Sequence, residues 1–295
     1  MRLPQIAAVA ELLKPITWFP PMWAFGCGVV ASGQAFEGNS HLILVGLVLT
    51  GPLVCASSQA VNDWFDRDVD AINEPHRPIP SGRMPGRWGL YIALLWTLLS
   101  LVWAWQLGTW GFNATLLGLA LAWAYSAPPI RLKMNGWWGN AACALSYEGL
   151  AWITGAAVML GGNLPTSHSL VLALLYSVGA HGIMTLNDFK SVPGDRLMGI
   201  RSLPVQLGLR RAAWTASALM CLPQLGVVAY LLDLEMTQQA SWVLLLTIAQ
   251  WPLMKRFIDQ PSERALMLSA FGVPLYVSGM MVSAWALRSL AGGAA

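Results

Sequence analysis

Charge is scarce in this chain. Of its 295 residues, 11% are Asp, Glu, Lys or Arg and 56% are hydrophobic, whereas a water-soluble domain carries about 25% charged residues. The shortfall excludes an ordinary soluble protein. It also excludes a nucleic-acid binder, because the basic residues are spread among apolar runs instead of forming one patch. Cysteine is equally sparse. Cys27, Cys55, Cys143 and Cys221 each stand alone in an apolar stretch, which argues against a disulfide framework or a thiolate metal site and for small buried hydrophobes. The start, MRLPQIAAVAELLKPITWFPP, contains Glu11 and no clear small-residue cleavage site, so no cleaved signal peptide is expected.

What the chain has in quantity is apolar length. Nine apolar segments run roughly over 16–36, 41–61, 88–107, 109–127, 139–160, 165–187, 212–232, 238–254 and 265–287. Uninterrupted runs of about 17–25 residues are long enough to cross a bilayer. They are continuous and rich in Leu, Ala and Trp rather than alternating, so they predict helices and not a barrel. The expected fold class is therefore all-α and polytopic, with nine transmembrane helices. Charge placement supports the count. The connections after the first, third, fifth and seventh segments contain no Lys or Arg, while the amino-terminal stretch and the remaining connections hold 16 of the 17 basic residues. By the positive-inside rule the amino terminus and the long loops are expected in the cytoplasm, with Arg288 alone on the far side. Trp88, Trp110, Trp137 and Trp138 are expected at the interfaces.

The long loops, 62–87 and 188–211, resemble each other. The first reads Asn62–Asp63, then Asp66 and Asp70, then RPIP from Arg77. The second reads Asn187–Asp188, then Asp195, then RSLP from Arg201. Both follow an even-numbered helix, which suggests an internal pseudo-repeat. If the first motif continues helix two, Asp63, Asp66 and Asp70 fall at i, i+3 and i+7 on one face, and Asp68 falls off it. Three carboxylates there repel one another and the negative end of the helix. A bound divalent cation would relieve both, and carboxylates with an amide oxygen suit Mg²⁺. The candidate metal-binding residues are Asn62, Asp63, Asp66, Asp70, Asn187, Asp188 and Asp195, the carboxylates being also the candidate catalytic groups. Arg67, Arg77, Arg83, Arg131, Lys133, Lys190, Arg196 and Arg201 supply forks and point charges for phosphate. Acid clusters with metal, a basic ring and an apolar bundle behind them point to a lipid diphosphate ionised at its allylic carbon.

NDWFDRDVD, from Asn62 to Asp70, resembles the first signature of the UbiA-type intramembrane prenyltransferases, and the likeness spans nearly the whole chain. The strings INEPHRPIPSG, LNDFKSVPGDRLMGIRSLPVQLG, KPITWFPPMWAFGCG and YSAPPIRLK are similar to the chlorophyll and bacteriochlorophyll synthase branch. FDRDVDAINEP and CALSYEGLAWITGA look more like its bacteriochlorophyll members. The resemblance implies a UbiA-type bundle as a single domain over 1–295, with loops 62–87 and 188–211 as the mouth of the site. It implies a Mg²⁺-dependent transferase joining a C20 prenyl group, geranylgeranyl or phytyl, from its diphosphate to the propionate of bacteriochlorophyllide a. Chlorophyllide a, or a quinone or haem precursor, is the alternative acceptor. It further implies the cytoplasmic or intracytoplasmic photosynthetic membrane of a cell, with other pigment-biosynthesis proteins as partners. Ser191 and Pro193 stand where many relatives carry acids, which thins the second motif.

Two residues have divided readings. Glu148 is the one carboxylate well inside an expected span. It either shapes an acceptor pocket or is a hydrogen-bonded structural acid. His181 either ligates the metal of the macrocycle or is hydrogen-bonded near its helix end. A transporter is the reading from another class, but transporters place polar groups at mid-membrane, and here they gather at one face.

Overall fold

Long apolar runs in a chain without an alternating pattern have one way to satisfy their backbone, and the computed structural model takes it. It describes residues 3–293. Every named element among them is helical, and one isolated bridge joins Asn135 to Arg201. In order, the elements are α1 (Ile6–Leu13), α2 (Phe19–Ala31), α3 (Ser40–Asn73), α4 (Trp88–Ala104), α5 (Gly108–Ser126), α6 (Gly136–Met159), α7 (Ser167–Asp188), α8 (Val192–Leu197), α9 (Leu203–Leu207), α10 (Leu209–Asp233), α11 (Thr237–Asp259) and α12 (Pro261–Gly292). Helix α2 packs on α6, α7 on α10, α10 on α11, α11 on α12, and α12 returns to α2, while α3, α4 and α5 pack on one another.

Six helical runs among the described residues are long and apolar enough to cross a membrane, against nine expected from the sequence. The difference has local causes. Trp88–Ser126 counts as one run of 39 residues, although a 3₁₀ turn at Trp105–Leu107 and Gly108, at φ 71°, separate α4 from α5. Helix α2, with 13 residues, is short. Helix α11 is not among the six; it carries three glutamines and ends in Lys255, Arg256 and Asp259.

The packing has two characters. Between α2 and α6 the backbones touch: a Cβ at Gly28 would collide with the Trp152 carbonyl, and one at Gly155 with the Phe25 carbonyl. Small residues permit this close approach. Three π-helical turns interrupt the long helices, at Leu49–Cys55, Leu145–Leu150 and Leu268–Gly272. The first contains Pro52, which lacks the N–H that an α-helical turn requires. Elsewhere Gln224 and Gln250, both fully buried, exchange amide hydrogen bonds of 3.2 and 3.0 Å between α10 and α11.

Candidate functional site

Helix α3 does not stop at the membrane-facing residues. It continues through the first acidic motif to Asn73, so the three aspartates share a face as their spacing predicts. Asp63, Asp66 and Asp70 are all buried and Asp68 is exposed. Helix α7 ends at Asp188, and the short α8 carries Asp195. Asn62, Asp66, Asp70, Asn187, Asp188 and Asp195 all line one polar cavity of about 490 Å³. The cavity meets a second, apolar one at Ser58, Tyr125, Cys143 and Tyr147. The apolar cavity runs down α5 from Tyr125 to Ala114, about 16 Å at the helical rise. Two of the π turns line it, through Leu49, Thr50, Val54 and Cys55 on one side and Ser146, Tyr147 and Leu150 on the other.

The first acidic cluster is surrounded by cations. Lys14 reaches Asp63 at 2.5 Å, and Arg77 lies 3.3 Å from Asp63 and 2.8 Å from Asp70. Lys133 is pressed against Asp66, and Arg131 stands 3.7 Å from it. The Asn62 amide donates to Asp66 at 2.8 Å. The fold itself thus supplies four cationic side chains that relieve the repulsion among the carboxylates. The Asp63 Oδ2 atom nevertheless remains buried with no hydrogen-bond donor. Burial draws the Lys133 ammonium down to about 8, against the opposing pull of Asp195 and Asp63. The Arg77 guanidinium is held above its usual value by Asp63 and Asp70, which outweigh its own desolvation.

The second cluster is held differently. Asp188 accepts a 3.0 Å hydrogen bond from the buried Asn140 amide, which also donates to Thr185. Burial raises the Asp195 carboxyl above the ordinary aspartate range, with Lys133 pulling the other way. Ser191 presents its backbone carbonyl to Asn73, and Pro193 is exposed. Among the described residues no group of three or more His, Cys, Asp or Glu stands close enough to hold a metal on its own.

The eight basic residues singled out from the sequence divide. Arg77, Lys133 and Lys190 line the polar cavity, and Arg131 touches Asp66. Lys190 also pairs with Glu74 at 3.1 Å. The remaining four do not line it. Arg83 pairs with Glu11 at 2.6 Å, exposed Arg67 covers the Trp64 ring, Arg196 is exposed, and Arg201 is engaged through its backbone with Met134 and Gly136. Glu148 is buried in the Leu145–Leu150 turn with Oε2 unbonded, and it lines neither cavity. His181 lines neither as well. Its Nε2 lies 3.1 Å from the Trp137 carbonyl, its ring is tilted against Trp137, and its Nδ1 is buried without a partner; the Nε2 contact is the hydrogen bond of the second reading.

Sequence reasoning missed Lys14, Asn73, Asn140 and Gln59, all of which line the polar cavity. Lys14 had a local signal in the Lys–Pro step that ends α1. It sits at φ 47°, ψ 66°, a left-handed conformation unfavourable for a residue with a Cβ, and this break turns its ammonium toward Asp63. Gln59 donates to the Tyr147 hydroxyl at 3.0 Å, at the junction of the cavities.

The sequence profile of the UbiA prenyltransferase family matches residues 18–288. The chain is 53% identical over 288 residues to the bacteriochlorophyll synthase 33 kDa chain of Rhodobacter capsulatus, covering 97% of this chain and 95% of that one. It is 40% identical to the chloroplastic chlorophyll synthase of Avena sativa, covering 94% and 75%. In fold it is similar to a UbiA homologue from Archaeoglobus fulgidus solved with DMAPP and Mg²⁺, at a TM-score of 0.71 over 96% of this chain and 99% of that one; the identity there is 19%, so the likeness speaks for the fold.

Proposed function

Since this chain belongs to the UbiA prenyltransferase family, we propose that it esterifies bacteriochlorophyllide a with a C20 prenyl group, geranylgeranyl or phytyl, taken from its diphosphate. A propionate oxygen of the macrocycle bonds to the allylic carbon. The bond from that carbon to the diphosphate oxygen breaks, and its electron pair leaves with diphosphate. The observation that carries the reading is the junction of a charged cavity with an apolar one, in a chain that is 53% identical over 97% of its length to a bacteriochlorophyll synthase chain.

In this reading the diphosphate lies among Arg77, Lys133 and Lys190, and the prenyl chain follows α5 down the apolar cavity. That cavity shields the electron-poor allylic carbon from water. Tyr125, Tyr147 and Gln59 mark where the polar head gives way to the tail. The attacking propionate is already ionised near neutral pH, given a carboxyl pKa of about 4, so no strong general base is needed. The donor set fits a hard divalent cation. Asp63 Oδ2 is buried without a donor, and four carboxylates, Asp66, Asp70, Asp188 and Asp195, line one cavity with the amides of Asn62 and Asn187, while Asp63 is not part of that lining. Mg²⁺ takes a few carboxylates and completes its shell with water and phosphate oxygens, which suits clusters too small to hold a metal alone. Asn62, Asp63, Asp66 and Asp70 would hold it on one side, and Asn187, Asp188 and Asp195 on the other. When bound it would neutralise charge on the departing diphosphate.

The domain and its setting follow the same reading. Residues 1–295 act as one prenyltransferase domain, with loops 62–87 and 188–211 as its cytoplasmic mouth in the photosynthetic membrane. The break at Gly108, the short α2 and the polar α11 are counted as crossings, which makes nine; the alternation of basic loops supports that count.

The test is an assay of purified protein with Mg²⁺, either geranylgeranyl or phytyl diphosphate, and either chlorophyllide a or bacteriochlorophyllide a. Chromatography should reveal ester chiefly with bacteriochlorophyllide a. Ester only with chlorophyllide a would select the alternative acceptor, and no ester from any pairing would end the reading.

A further inference from the structure

We propose that Asn73 is a positioning residue: its single amide clasps the two acid-bearing elements together across the mouth and thereby sets how the donor diphosphate is held. The inference rests on the prenyltransferase reading above. Asn73 is the last residue of α3, three after Asp70, and lines the polar cavity. Its Nδ2 donates to the Ser191 carbonyl at 3.3 Å, and its Oδ1 accepts from the Gly194 N–H at 3.0 Å. Gly194 directly precedes Asp195. One side chain therefore ties the turn that carries Asp70 to the turn that carries Asp195, from more than a hundred residues away.

The chemistry of the clasp is narrow. An amide both donates and accepts, and both roles are filled. Aspartate would keep an acceptor for Gly194 but offer no donor to Ser191. Position 194 has room for no side chain, since a Cβ there would stand 2.5 Å from both Asn73 Nδ2 and Oδ1. Helix α8 has six residues, too few to hold its own shape, so its place depends on its neighbours. On its carboxyl side the chain is pinned where Arg201 N–H bonds the Met134 carbonyl at 3.0 Å and Gly136 N–H bonds the Arg201 carbonyl at 2.8 Å. On its amino side Asn73, half-buried, is the link. The neighbouring Lys190–Glu74 pair spans the same gap, but Lys190 is 63% exposed, and exposed pairs contribute little.

The experiment compares wild type with Asn73→Ala, Asn73→Asp, Gly194→Ala and the Ala/Ala double variant. It reads steady-state constants for geranylgeranyl diphosphate and bacteriochlorophyllide a, and amide exchange over residues 191–197 without substrates. Asn73→Ala should raise the donor KM by about tenfold, leave the acceptor KM within about twofold, and speed exchange in that segment by about tenfold or more. Asn73→Asp should fall between. Gly194→Ala, by expelling the amide, should match Asn73→Ala, and the double variant should be no worse than Gly194→Ala alone, the signature of a shared contact. Wild-type donor KM and exchange in Asn73→Ala, or additive losses in the double variant, would overturn the clasp. A wild-type protein that makes no ester would instead break the prenyltransferase reading, while the exchange measurements would still decide the clasp.

Discussion

The two acidic clusters have matching sequence and unlike surroundings. Asp63, Asp66 and Asp70 are met by Lys14, Arg77, Lys133 and Arg131. Asp188 is met by a neutral amide, and Asp195 lies buried with Lys133 as its nearby cation. The first cluster is neutralised by the fold before any ligand arrives. The second is kept short of positive charge. A motif can thus be repeated in sequence while its surroundings differ in space: one copy is paired with cations of the fold, and the other is not, which in the proposed function would leave the second to the ligand.

Metal removal tests that difference most severely. Chelation of divalent ions should abolish ester formation yet leave the thermal midpoint within about 2 °C, because Lys14, Arg77 and Lys133 already balance the first cluster. A large fall in midpoint would make the metal a structural one and erase the contrast. Next come the single carboxylates. Asp66→Ala and Asp188→Ala should each lower turnover by about 10²- to 10³-fold. Only Asp66→Ala should also cost about 2 kcal/mol of stability, read as a lowered thermal midpoint, since it strands the buried Lys133. Equal midpoints in the two variants would refute that difference.

The cations can be compared in the same way. Arg77→Ala should raise the donor KM by about tenfold or more, whereas Arg83→Ala, whose guanidinium is bound to Glu11 away from the cavity, should leave both KM values unchanged. Matching effects would return Arg83 to the site. The smallest expectation concerns Glu11 itself. The Arg83 hydrogen bond holds its carboxyl below the usual glutamate value. A carboxyl lowered on folding adds stability above its unfolded pKa and loses it as pH falls through the folded value. Arg83→Ala should therefore remove a slight stabilisation at pH 7 that is already gone in strong acid, measured as the difference between wild-type and variant midpoints across that range.

Much of this was legible in the residues. Apolar length predicted helices, and the i, i+3, i+7 spacing placed Asp63, Asp66 and Asp70 on one face with Asp68 outside it. What stayed hidden depends on contacts between distant parts of the chain. No periodicity reveals that Lys14 swings out of a left-handed break, that Asn73 meets Gly194, or that Asn140 supports Asp188. Four of the basic residues stand off the polar cavity for a related reason: proximity in a loop does not say which way a long side chain turns, and Arg83 turns toward Glu11. The partner of His181 was hidden in the same sense, since the carbonyl beside its Nε2 belongs to another helix. The helix count differs because length and apolarity alone merge α4 with α5 across Gly108 and pass over α2 and α11.

The glycine seam between α2 and α6 has a mechanical meaning. Where Gly28 and Gly155 bring two backbones into contact, no side chain stands between α2 and α6 to rearrange, so the two helices are held stiffly against each other, and Pro21, Ala151 and Thr154 on them line the apolar cavity. The π turns at Leu49–Cys55 and Leu145–Leu150 line the same cavity, and they break the regular α-helical ladder, the first around Pro52. An occupant bulkier than the cavity would press on those turns, not on the seam.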